Sequence, residues 1–200
     1  MVSMDLRTNK LILQLRNIGR SLGINNFLAE LLSNQSYEEK YNNEFYKRLK
    51  PGDCVWDIGA NIGLYTKRFA EMVGDNGIIH AFEPSRVNFS RLSSACNNSS
   101  NISVHNFGLG DQNGSFPFEQ GADEIGATSR FVESSQTDQH VEIFRADTLI
   151  TKKFEKPNVI KIDVEGFEME VLEGFGNRLD DRNLRFVGVE VHFELLKLRG

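Results

Sequence analysis

Cysteine is scarce in this chain: Cys54 and Cys96 are its two thiols in 200 residues. They lack the C-x-x-C spacing of a metal or redox pair, so they read as buried, reduced residues in a cytoplasmic setting. Long apolar runs are also missing. None approaches the ~18 residues of a membrane span, and Met1 to Asn9 lacks the apolar core of a signal peptide, so neither anchoring nor export is expected. Positive charge is not in excess. The 23 Lys and Arg stand against 28 Asp and Glu, for a net charge of −5, which disfavours nucleic acid and other polyanions as partners. Internal repeats and low-complexity linkers are absent. What remains, 40% hydrophobic and 26% charged residues, suits one domain with a real core.

Residues 1–50 read as an N-terminal helical cap. Leu11, Leu15, Ile18 and Leu22 share a helical face flanked by Arg7, Lys10, Arg16 and Arg20, a pattern expected to cover a core rather than a membrane surface. A second helix is expected over Tyr37 to Leu49, stopped by Lys50-Pro51-Gly52. From there to residue 200 strands and helices alternate, the mark of a parallel sheet with helices on both faces. Strands are expected at Cys54 to Ile58, Gly77 to Phe82, Ile102 to Asn106, Val159 to Val164 and Phe186 to Val191. Helices are expected at Ile62 to Val73, after Pro84, and at about Phe167 to Phe175. Residues 111–146 interrupt the rhythm with a hairpin pair, Ser115 to Phe118 and Val141 to Phe144, around a polar loop.

The stretch Val55-Trp56-Asp57-Ile58-Gly59-Ala60-Asn61-Ile62-Gly63 joins a strand to a helix through a glycine turn, the ligand-binding corner of a doubly wound α/β domain. It is not G-x-G-x-x-G. Asn61 stands where a dinucleotide fold wants bare backbone, and Asp57 would repel a diphosphate. A cationic ligand removes both objections. S-adenosylmethionine carries an ammonium and a sulfonium, which Asp57 could help to hold. Glu83 ends the second strand about 20 residues beyond the glycines, the usual place for an acid that accepts from ribose hydroxyls. Taken singly, each acid could also be an ordinary helix-terminus carboxylate.

In their order, VWDIGANIGLYT, HAFEPSRVNFSRL, IKIDVEGFEMEVLEGF and VGVEVHFELL resemble the FkbM-type class I methyltransferases across residues 52–200. The resemblance implies a Rossmann-like sheet, an S-adenosylmethionine site, and O-methylation of a hydroxyl on a sugar, glycan, polyketide or related small molecule. Asp57, Gly59, Asn61 and Gly63 fall on the family's first motif and Glu83 on its ribose-binding acid. Asp111 falls near where such enzymes meet the adenine, or is an ordinary turn Asp.

Methyl transfer to oxygen needs alignment and a proton acceptor. Asp163, at the end of the fourth strand, is expected to open toward the same crevice as Asp57 and to contact cofactor or acceptor, with Glu165 following it by two. Glu190 and His192 end the fifth strand on one face. His192 is the candidate general base, since an imidazole of ordinary pKa about 6.5 accepts a proton near neutral pH; its duller reading is a partner for a nearby carboxylate. Asp163, Glu190 and His192 are together the catalytic candidates. These three could together hold a divalent ion, but oxygen-rich acids are also merely tolerated at strand ends, and no metal is expected. Lys161 alternates onto the side of Asp163, where an ion pair is expected rather than catalysis. His80, His105 and His140 lack any surrounding motif and read as surface or edge residues.

A class I sheet has seven strands, and the sixth and seventh find no counterpart before Gly200. The fifth strand is therefore expected to be an exposed edge, inviting self-association. The alternative to an enzyme is a non-catalytic or degenerate fragment, or a binding subunit, of the same fold.

Overall fold

The computed structural model describes residues 42–119, 130–131 and 139–191. The chain divides into two compact units, 1–45 and 46–200. The helix expected around Leu11 to Leu22 lies outside the described residues. Of the one expected over Tyr37 to Leu49, residues 42–48 are described and helical.

In the second unit β1 (Cys54–Ile58), β2 (Ile78–Phe82), β3 (Ile102–His105), β8 (Val159–Ile162) and β9 (Phe186–Val189) form one sheet in the order β3-β2-β1-β8-β9. Every pairing within it is parallel. All five residues of β1 are buried, as are all four of β8. That is why these strands are short apolar runs and not alternating ones: both faces of the sheet are covered. Helices α1 (Leu64–Val73) and α2 (Arg86–Cys96) follow β1 and β2, and α3 (Ala146–Thr151) and α4 (Glu168–Phe175) flank β8 in the chain.

The periodicity of β1 sorts the core. Trp56 and Ile58, with Phe82, Ile160 and Ile162, pack on Leu149 of α3 and on Val171 and Phe175 of α4. Ala81 and Ala60 pack with Leu92 and Cys96 of α2. Each fully buried Ile or Phe contributes roughly 1.5–3 kcal/mol relative to exposure. Cys54 and Cys96 are free and buried, as expected.

Three local differences from the expectations have simple causes. The first helix starts at Leu64 rather than Ile62, because Asn61 at φ +50° and Gly63 at φ +89° hold the chain in the left-handed region until then. The insertion's hairpin pair forms as read, β5 (Gly114–Glu119) antiparallel to β7 (His140–Phe144) with Phe116 opposite Val141. It also recruits β4 (Gly108–Leu109) and β6 (Arg130–Phe131) into a second sheet ordered β4-β7-β5-β6. Two-residue strands and the six-residue α3 are too short to show a period.

His80 is a correction. The expectation of a surface or edge residue fails, since it is 5% exposed and β2 is an interior strand. Its ring pairs with His105 (Nδ1 to Nε2, 3.1 Å) and with Glu155 (Nε2 to Oε2, 2.9 Å). His105 lies half-buried on the edge strand β3, and His140 is exposed. Among the described residues β9 has a strand neighbour on its β8 side only, and no helix is long and apolar enough to cross a membrane.

Candidate active site

Between β1 and α1 the chain makes a turn that depends on two glycines. Gly59 has φ +79°, and a Cβ there would stand 1.7 Å from the carbonyl oxygen of Asp163. The carboxyl ends of β1 and β8 therefore meet as bare backbone. At Gly63 a Cβ would meet Leu92 Cδ1 at 2.7 Å, so this glycine lets α1 approach α2. The turn is tied to β2 as well, since the N–H groups of Gly59 and Ala60 donate to the Phe82 carbonyl at 3.1 and 3.0 Å.

Glu83 stands at the centre of this corner. Its Oε2 accepts the Asn61 N–H and its Oε1 the Ser85 N–H, each at 2.9 Å. Burial pushes its pKa up to about 7, against the two N–H groups that favour the ionised form. Each oxygen keeps a lone pair for a further donor. Ser85 caps α2 by accepting from the Asn88 N–H.

A cavity opens where these elements meet. Gly59, Asn61, Glu83, Asp163 and Glu165 line it, with apolar walls that include Phe82 and Leu109. Three of these groups are carboxylates, and the described lining includes no Lys, Arg or His. The wall beyond β8 turns sharply through two left-handed residues, Glu165 at φ +49° and Gly166 at φ +89°. The Gly166 N–H donates to Glu168 Oε1 at 3.0 Å, and Glu168 is itself buried. Such conformations gather at functional sites.

The sequence candidates do not all converge here. Gly59, Asn61, Glu83 and Asp163 line the cavity. Asp57 does not share the Asp163 crevice as expected: it is fully buried, accepting from the Thr66 hydroxyl at 2.6 Å and facing the Lys161 ammonium at 3.6 Å. Register explains this, because Asp57 pairs with Lys161, one pleat below Asp163. Lys161 pairs with Asp163 at 3.2 Å, as anticipated. Gly63 packs helices and does not line the cavity. Asp111 is half-buried outside the lining, its carbonyl taken by the Arg145 guanidinium. Glu190 donates its N–H to the Ile162 carbonyl at 2.9 Å and is not in the lining. His192 lies outside the described residues. Asn88, buried on the first turn of α2, lines the cavity without having been foreseen; its one sequence signal is its place three residues after the capping Ser85.

The residues fit an adenosyl cofactor. Glu83 has accepting capacity to spare for two ribose hydroxyls, Gly59 leaves backbone bare, and the Asn61 side-chain oxygen is buried with no hydrogen-bond partner among the described residues. A polar atom left so needs a donor that a ligand can bring.

Comparison with known proteins places the chain in a family. The methyltransferase FkbM domain family matches residues 57–198. The chain is 33% identical over 142 residues to the hexuronic acid methyltransferase AglP of Haloferax volcanii, covering 70% of this chain and 56% of that protein. It is 42% identical over 60 residues to the 31-O-demethyl-FK506 methyltransferase FkbM of Streptomyces tacrolimicus, covering 28% and 23%. A solved methyltransferase FkbM from Methylobacillus flagellatus KT aligns at TM-score 0.48 and 18% identity over 72% of this chain and 39% of that one. The chain thus spans little more than half the length of AglP.

Proposed function

Since the chain belongs to the methyltransferase FkbM domain family, we propose that it binds S-adenosylmethionine in the cavity between β1, β2 and β8 and methylates a hydroxyl of a sugar, glycan, polyketide or related small molecule. The observation that carries the reading is the Glu83 carboxylate, buried and fixed by the Asn61 and Ser85 N–H groups at the cavity wall. That AglP and the Streptomyces protein are named for hexuronic acid and for 31-O-demethyl-FK506 supports the acceptor class.

When bound, the cofactor would supply an electrophilic methyl group, activated by its sulfonium, for an acceptor oxygen. Glu83 would hold the ribose by accepting from its hydroxyls, and Asn61 would offer its side-chain oxygen as a further acceptor. Gly59 and the Asp163 backbone set the floor so closely that no side chain intervenes. Asp163 and Glu165 give the wall a negative charge suited to a cationic ligand and unsuited to a diphosphate. His192 remains the proposed general base, with Glu190 as its neighbour on the strand.

The same proposal includes a cytoplasmic setting, in keeping with two buried free thiols, and self-association along the outer edge of β9. Transfer of labelled methyl from S-adenosylmethionine to a cell extract tests the activity and identifies the acceptor. Wild-type protein that binds the cofactor but labels nothing would reduce the reading to a binding module.

A further inference from the structure

Lys161 is fully buried in β8, at 1% side-chain exposure. Burial works against its ammonium, but the Asp57 and Asp163 carboxylates outweigh burial and raise its pKa. Nζ lies 3.2 Å from Asp163 Oδ2, 3.6 Å from Asp57 Oδ1 and 4.8 Å from the centroid of the Tyr65 ring. The other Asp57 oxygen takes the Thr66 hydroxyl at 2.6 Å. Of the three charged groups, Asp57 is at 0% exposure and Asp163 at 27%, so only Asp163 reaches the cavity.

A buried ion pair is a poor way to gain stability, since an apolar pair of similar size does as well or better. Here the pair sits one pleat beneath the cavity floor. Lys161 faces both carboxylates, and of the three groups it is Asp163 that lines the cavity. We propose that Lys161 is a positioning residue that, backed by Asp57, fixes the Asp163 carboxylate at the wall to receive the ammonium of the cofactor's amino-acid end. This rests on the S-adenosylmethionine reading. It moves the recognition of that end from Asp57, which is enclosed, to Asp163.

The test is calorimetric titration of the full chain with two probes. S-adenosylhomocysteine carries the amino-acid end, and 5′-methylthioadenosine lacks it while keeping the ribose that Glu83 would hold. Lys161→Met should weaken S-adenosylhomocysteine by about 10-fold or more, the scale of a charge-assisted hydrogen bond, and leave 5′-methylthioadenosine within about 2-fold. Lys161→Arg should recover much of the loss. In an Asp163→Asn background Lys161→Met should have little further effect. Should Lys161→Met fail to fold, the charge-balanced pair Asp57→Asn with Lys161→Met removes both enclosed charges and carries the same expectation. Equal losses for both probes, or multiplying losses in the Asp163→Asn background, would make Lys161 merely structural and overturn the proposal. Unchanged or tighter S-adenosylhomocysteine binding would overturn it too. If wild-type protein bound neither probe, the cofactor reading itself would fall, and this inference with it.

Discussion

The backbone N–H of Asn61 donates to the Glu83 carboxylate at 2.9 Å, joining the glycine turn after β1 to the acid that ends β2. The bond makes the turn and the ribose-binding candidate a single unit. It also makes that unit sensitive to protons. Glu83 has its pKa raised to about 7, with burial as the leading cause. The folded state therefore holds a proton that the unfolded chain releases nearer the ordinary value of 4.5, and this group's stabilisation is lost as pH rises through about 7. Ribose hydroxyls donating to the ionised form would act oppositely. Affinity for S-adenosylhomocysteine should rise between pH 6 and 8, with proton release seen by calorimetry in buffers of different ionisation enthalpy. Glu83→Gln should flatten that dependence; a profile identical to wild type would remove Glu83 from the binding equilibrium.

Gly59→Ala should be among the most damaging single changes. Its Cβ would overlap the Asp163 carbonyl at 1.7 Å, at a φ of +79° that alanine disfavours. Strain and overpacking together predict a loss of roughly 2–5 kcal/mol, read as a lower urea midpoint, along with lost cofactor binding. A variant within about 0.5 kcal/mol of wild type would show that β1 and β8 part easily.

How far the sequence carried this site depends on which residues act locally. The strand, the glycine turn and Glu83 were legible because an apolar run, a turn residue and a chain separation are local signals. Asp57 was placed wrongly because its fate depends on register: it faces Lys161, and only pairing of β1 with β8 shows that Asp163 lies one pleat higher. His80 has no motif, yet its setting offered a clue, since Ile78-Ile79-His80-Ala81-Phe82 is apolar on both sides of the pleat and so belongs to an interior strand. The turn at Glu165 and Gly166 left no mark beyond the glycine, because a left-handed Glu follows from the packing around it.

The His80 and His105 pair should shape acid stability. Burial, then the neighbouring His80, lowers His105 to about 4, and burial lowers His80 despite Glu155. Both rings are thus neutral when folded at pH 7. With folded values below the unfolded 6.5, their stabilisation is full above about 6.5 and is lost as pH falls toward about 4. Urea midpoints at pH 7.5, 5.5 and 4.5 should fall, and His105→Gln should fall less steeply over that range. Parallel slopes would assign the acid sensitivity elsewhere.

His192→Asn should lower methyl-transfer turnover by about 10²-fold or more with little change in cofactor affinity, the usual yield of a general base. Turnover at the wild-type level would leave His192 as a partner for a carboxylate.

The most direct test of the central claim is equilibrium titration of the wild-type chain and Glu83→Ala with S-adenosylmethionine, and of the wild type with NAD. The account predicts saturable binding of S-adenosylmethionine, none of NAD, and a loss in Glu83→Ala of roughly 1.5–3 kcal/mol, about 10- to 150-fold, with the fold retained. Binding of NAD in preference to S-adenosylmethionine, or S-adenosylmethionine binding indifferent to Glu83→Ala, would contradict it.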